Sequence, residues 1–156
     1  MNVAIVERQP VTVASFRHVG PYGDAISRFW QQTVAPWMVA NKLGAGARYG
    51  VSHDNPNATA PEQCRYDACV EVPPDFAFAG GAQKTTIAGG KYAVYQFKGT
   101  NADVFKAWRE IMQEWLPSSG YRPDARPCFE YYPNGSAWDP KTGAFECEIC
   151  VPVMSL

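Results

Sequence analysis

Tyr66-Asp67-Ala68-Cys69-Val70-Glu71-Val72-Pro73 and Phe145-Glu146-Cys147-Glu148-Ile149-Cys150-Val151-Pro152 are two versions of one pattern. An offset of 79 positions lays one on the other, with the aromatic, the acidic and the branched positions agreeing in order and both ending at proline. The same offset carries Gly20 onto Gly99, while Trp37 and Trp115 lie 78 apart and Tyr49 and Phe129 lie 80 apart. Small loop differences account for such drift, so the chain reads as an internal duplication.

Each copy has the same order of elements. In the first, a strand over 11–19 stops at Gly20-Pro21. A helical pattern then carries Ile26, Phe29, Trp30, Val34 and Trp37 at spacings of three and four, and strands follow at 49–52 and 65–72. Pro36 inside that helix predicts a kink or a short second helix starting there. In the second copy, strand-like residues at 85–87 precede a strand over 92–98. A helix capped at Asn101 runs through Phe105, Trp108, Ile111 and Met112 to Trp115 and stops at Pro117. Strands at 129–132 and 144–153 complete the copy. The expectation is an α+β fold of tandem duplicated strand-helix-strand-strand units, repeat one about 1–74 and repeat two about 83–156. Pseudo-twofold symmetry would give one curved antiparallel sheet with both helices on one side and a ligand cleft between the halves.

A carboxylate present in one copy and absent from the other is not explained by shared folding needs and points to function. At offset 80 Glu130 corresponds to Gly50. Glu130 sits in the strand Pro127-Cys128-Phe129-Glu130-Tyr131-Tyr132, closed by Pro133-Asn134-Gly135. Alternation along a strand puts Glu130 on one face with Cys128 and Tyr132, and Phe129 and Tyr131 on the other. A carboxylate among rings and away from water loses hydration worth several kcal/mol, so it either raises its pKa or seeks a cation. It would suit a flat aromatic or cationic ligand, or act as general base on a water.

Other features point to ordinary structure. Asp67 with Glu71, and Glu146 with Glu148, read as solvated faces opposite apolar partners. Trp30, Trp37, Trp108 and Trp115 read as core. Cys147 and Cys150 have C-x-x-C spacing, but residues three apart in a strand point to opposite faces, so neither a redox pair nor a metal site is expected. His18 and His53 lack companions at metal-ligand spacing. Gly89-Gly90 precedes a strand, so it is no phosphate cradle. No cofactor is implied.

The totals bound the function class. The chain has 156 residues, a net charge of −1 and five cysteines. That charge gives no footprint for direct nucleic-acid or membrane-surface binding. With neither an export signal nor a span of about 20 apolar residues, the chain reads as cytoplasmic, with reduced thiols. The sequons at Asn57 and Asn134 then carry no meaning.

Arg17-His18-Val19-Gly20-Pro21-Tyr22, Gly89-Gly90-Lys91-Tyr92-Ala93-Val94 and Pro127–Tyr132, in this order, resemble the GyrI-like (gyrase-inhibitory) family. That family is the stand-alone relative of effector-binding domains attached to some AraC- and MerR-type regulators. The resemblance covers nearly the whole chain and implies the duplicated fold with a ligand cleft. It implies Glu130 as the group facing aromatic or cationic ligands, with Tyr132 beside it and Tyr22 after the first strand as further ligand contacts. Binding of toxins or drugs by a monomer is the expected function. Two alternatives are a hydrolase of cyclopropane-bearing electrophiles, with Glu130 as base and Tyr132 or Tyr22 as hydrogen-bond donor, and a modulator of DNA gyrase. No helix-turn-helix is attached, which makes direct transcriptional control doubtful.

Overall fold

The computed structural model describes residues 1–44, 46–78, 80–133 and 139–156. The Asn134-Gly135 turn signal lies outside the described residues. Nine strands occur among them: β1 (Val3–Arg8), β2 (Val11–Val19), β3 (Arg48–Ser52), β4 (Arg65–Glu71), β5 (Gln83–Ile87), β6 (Gly90–Gly99), β7 (Tyr121–Pro123), β8 (Phe129–Tyr132) and β9 (Phe145–Ser155). They form one curled antiparallel sheet in the order β1-β6-β9-β8-β3-β4-β2-β5, with β7 alongside β9.

That order is the duplication made visible. Outward from the centre, β3, β4 and β2 of the first copy match β8, β9 and β6 of the second. The edges depart from a simple tandem. β1 precedes β2 in the chain but pairs with β6, and β5 precedes β6 but pairs with β2. Each copy therefore donates its first strand to the other. The sequence pattern did not reveal β1, because Ile5 and Val6 are both 37% exposed and the strand has no alternation of burial.

The copies meet where β3 pairs with β8, in the register Arg48↔Tyr132, Tyr49↔Tyr131, Gly50↔Glu130 and Val51↔Phe129. Gly50 and Glu130 are also the equivalent positions of the two copies, so the pseudo-twofold axis passes through this pair.

Helical segments cover one face of the sheet. α1 (Asp24–Phe29) continues through a π-helical turn, Trp30–Val34, into α2 (Ala35–Ala40), which has proline in its first turn. The wide turn followed by a restart is how the chain accommodates Pro36, which has no N–H to donate. α3 (Asn101–Glu110) likewise passes into a π turn, Ile111–Trp115, and a 3-10 turn at Pro117. Its N-cap is Thr100 rather than Asn101. The Asp103 carboxylate accepts from the Thr100 backbone N–H at 2.9 Å and from its hydroxyl at 3.0 Å.

Beneath the helices lie two clusters, Phe16, Ala68 and Val70 against Val34 and Met38, and Phe97, Ile149 and Val151 against Ala107 and Ile111. The opposite face is filled by residues of both copies, including Tyr49, Val51, Tyr92 and Phe129. Phe129 and Tyr131 thus point away from the helices, as alternation requires. Cys147 and Cys150 belong to different clusters on opposite faces.

Asp67 corrects the expectation of a solvated acidic face. It is 8% exposed and receives both Arg17 Nε and Nη2, at 2.8 and 3.0 Å, while His53 Nε2 lies 2.7 Å away. Burial pushes its pKa up, but the hydrogen bonds from His53 and Arg17 outweigh that and hold it at about 2. Glu71 and Glu146 are exposed. Glu148, half-buried, meets Arg8 at 3.4 Å.

Gly50 is required by a close approach. A Cβ there would land on the Tyr66 hydroxyl. Gly50→Ala is expected to lower stability by about 1–3 kcal/mol, the usual cost of overpacking. Adding Tyr66→Phe should recover part of the loss. Thermal unfolding of the single and double variants checks this, and full stability of Gly50→Ala alone would contradict it.

Candidate functional site

Between α1–α2 and α3, above β3 and β8, lies a cavity of about 1020 Å³. Its floor is the strand pair on the axis, and its walls are the inward sides of the two helical stretches. Glu130, Tyr132 and Cys128 all line it, as their common strand face predicts.

Glu130 has two hydrogen-bond donors. Trp108 Nε1 donates to Oε2 at 2.9 Å and the Tyr132 hydroxyl donates to Oε1 at 2.7 Å. Among the described residues it makes no ion pair. Burial pushes its pKa up, and the two hydrogen bonds offset this only in part. Burial and the nearby carboxylate also push Tyr132 well above the ordinary tyrosine value, so its proton stays in place. Glu130 therefore sits in the cleft with its charged form disfavoured by burial and only partly stabilised by its two donors.

The first copy repeats this geometry with different chemistry. Trp30, 78 positions before Trp108, donates from Nε1 to the Tyr66 hydroxyl at 2.9 Å. Each helix thus points an indole N–H at the axis, one finding a carboxylate and the other a phenol. Trp30 and Trp108 pack against the two core clusters, as expected, and each also turns its indole edge to the cavity. The signal for them was available, since a buried indole N–H needs an acceptor and these two occupy equivalent positions. Trp37 and Trp115 are core residues. Trp37 packs on Phe16 with ring centres 5.0 Å apart, and Trp115 packs against the cluster under α3.

Tyr22 lines the cavity at its mouth, but its hydroxyl is committed to backbone. It donates to the Arg65 carbonyl at 2.5 Å and accepts from the Asp54 N–H at 3.4 Å. Only its ring is left to face the cavity. Asp54 is in turn gripped by Arg65 through Nε and Nη2, both at 3.0 Å, which pins the loop after β3 at the rim.

Arg48 was not singled out by the sequence. It lines the same cavity, cross-strand from Tyr132, with its guanidinium carbon 5.6 Å from the centre of that ring. Burial lowers its pKa, yet the guanidinium stays protonated. The Cys128 thiol is pushed by burial to about 11, so it is unreactive near neutral pH.

Known proteins share both the sequence pattern and the shape. The profile of the GyrI-like small molecule binding domain matches residues 1–154. A protein of Erwinia billingiae named DNA gyrase inhibitor is 33% identical, the match covering 98% of this chain and 97% of that one. The EcmrR C-terminal domain superimposes with a TM-score of 0.76 at 18% identity, over 99% of this chain and 98% of that one. SAV2435, solved bound to tetraphenylphosphonium, gives 0.66 at 18% identity over 99% and 94%. These two likenesses establish the curled fold.

The raised pKa of Glu130 sets a pH dependence. Its protonated form is favoured by folding, so its contribution is fully present below the ordinary glutamate value of about 4.3 and is lost as pH rises through the raised folded value. Glu130→Gln removes this loss. The apo variant is expected to gain melting temperature over wild type as pH rises through that window, with a constant difference above it. Parallel melting curves from pH 4 to 9 check this, and a difference independent of pH would contradict it.

Proposed function

Because the chain belongs to the GyrI-like family of small-molecule-binding domains, we propose that its cleft binds amphipathic aromatic compounds through a positive charge placed against Glu130. The observation that carries this reading is the carboxylate on the cleft floor, held by two neutral donors and, among the described residues, paired with no cation. A ligand cation about 4 Å away would gain on the order of 4 kcal/mol in gross Coulomb energy at an effective dielectric near 20. The rings of Trp30, Trp108 and Tyr132 line the same space and offer faces to a flat or propeller-shaped aromatic body. Each such cation–ring contact contributes about 0.5–2 kcal/mol. A cavity of about 1020 Å³ admits a drug-sized molecule. That a protein of the same fold was solved with tetraphenylphosphonium supports the choice of probe.

A second reading, modulation of DNA gyrase, is favoured by the name of the Erwinia relative, which is similar over nearly its whole length. It uses an outer surface instead of the cleft floor. Turnover of an electrophile would use Glu130 as base and Tyr132 or Tyr22 as donor, and the Tyr132 hydroxyl would first have to leave Glu130, to which it donates at 2.7 Å.

Titration with tetraphenylphosphonium, followed by tryptophan fluorescence, separates these readings. Wild type is expected to bind it, and Glu130→Gln to weaken that binding by about 10–100-fold, or about 1.4–2.8 kcal/mol. The neutral triphenylphosphine oxide should bind both proteins alike. Equal affinity of wild type and variant for the cation would overturn the reading. Supercoiling inhibition that persists in Glu130→Gln would support the gyrase alternative, and loss of a cyclopropane-bearing alkylator to a hydrolysed product would support turnover.

A further inference from the structure

We propose that the Tyr66 hydroxyl is a hydrogen-bond donor to the ligand, so that the cleft selects cations carrying an ether or carbonyl oxygen close to the positive charge over purely hydrocarbon cations. This rests on the cation site at Glu130 and deepens it. Trp30, Trp108, Tyr66 and Tyr132 line the cavity, and each brings one N–H or O–H donor. Three of these four donors are spent inside the protein. Trp108 and Tyr132 donate to Glu130, and Trp30 donates to Tyr66 at 2.9 Å. The Tyr66 oxygen uses a lone pair to receive Trp30, and its own proton has no acceptor among the described residues.

The fold holds that hydroxyl at the pseudo-twofold axis. Tyr66 comes from β4, opposite Ser52 of β3, and its ring meets that of Tyr22 edge-on with centres 6.3 Å apart. Its oxygen lies over Gly50, where a Cβ would collide with it. Gly50 is the direct cross-strand partner of Glu130. Cβ positions of such partners are about 4.5–5.5 Å apart, so the hydroxyl stands on the order of 5 Å from the root of the Glu130 side chain. Burial and the nearby Glu130 carboxylate push Tyr66 well above the ordinary tyrosine value. It is therefore a donor, not a phenolate, at neutral pH.

The consequence for specificity follows from what an unmade hydrogen bond costs. A buried donor left without an acceptor is penalised once water is expelled from around it. A hydrocarbon cation that fills the cleft imposes that penalty at Tyr66. A cation whose oxygen accepts from Tyr66 avoids it while its charge lies against Glu130. Because the two protein groups flank one position of the strand pair, the charge and the oxygen of the ligand need lie only a few bonds apart. Tyr66 is thus a specificity residue, separate from the carboxylate that anchors the charge.

Butyltriphenylphosphonium and methoxyethyltriphenylphosphonium form a matched pair, alike in charge and nearly so in shape, with one methylene exchanged for an ether oxygen. Calorimetric titration gives the ratio of their dissociation constants, butyl over methoxyethyl, for each protein. That ratio is expected to be about tenfold larger in wild type than in Tyr66→Phe, a difference of about 1.4 kcal/mol, because phenylalanine leaves the ether oxygen unpaired. Glu130→Gln should weaken both cations and keep the wild-type ratio. An unchanged ratio in Tyr66→Phe, with both cations still weakened by Glu130→Gln, would overturn the role of Tyr66 and leave the cation site standing. Binding of neither cation by wild type, or equal binding of both by wild type and Glu130→Gln, would overturn both. Should Tyr66→Phe not fold, carbon-13 NMR of the Tyr66 Cζ in wild type decides. A shift given by the methoxyethyl cation and absent with the butyl cation supports the donor role, and the same shift with both overturns it.

Discussion

Two equivalent residues face each other across the pseudo-twofold axis, and at one of them no side chain fits, because a Cβ at Gly50 would land on the Tyr66 hydroxyl. Gly50 and Glu130 are direct partners in the β3–β8 ladder. Two glutamates there would bring like charges within a few ångströms, so that one would have to keep its proton. Gly50 also leaves room for the Tyr66 hydroxyl, which receives the Trp30 indole just as Glu130 receives Trp108. The asymmetry of one position is thereby spread through both helices, so a symmetric fold has an asymmetric cleft.

The exchange of edge strands gives that cleft a stable floor. Because β1 closes on β6 and β5 on β2, neither copy can separate without losing a strand of the other. The shared cluster on the far face, where Phe129 packs on Tyr49 and Tyr92 with ring centres 5.6 and 5.1 Å apart, supports the central pair from behind. A fixed floor holds Glu130 where burial disfavours its charged form and only two neutral donors reach it. Functional sites commonly carry such unfavourable arrangements, sustained by packing elsewhere.

Much of this was legible in the sequence, and the exceptions have physical causes. Strand alternation assigned Glu130, Cys128 and Tyr132 to one face and Phe129 to the other, because a period of two leaves no choice once the strand is found. The offset between copies located the Gly50–Glu130 correspondence before any geometry was known. β1 escaped because a half-exposed edge strand has no periodic signature. Asp67 escaped because its burial depends on Arg17 from a neighbouring strand and His53 from a loop, contacts with no local imprint. Trp30 and Trp108 lie on amphipathic helices, where periodicity shows which residues turn inward but not whether they meet core or cavity. Arg48 stands beside apolar strand residues, and only the register with Tyr132 puts it in the cleft.

The central claim is that burial disfavours the charged form of Glu130, that its two donors stabilise it only in part, and that a ligand cation favours it. Carbon-13 NMR of the Glu130 side-chain carboxyl, titrated with and without saturating tetraphenylphosphonium, tests it most directly. The account predicts an apo pKa above the ordinary glutamate value of about 4.3 that falls when the cation binds, with proton release at intermediate pH. An ordinary apo value, or a value that the cation leaves unchanged, would contradict it.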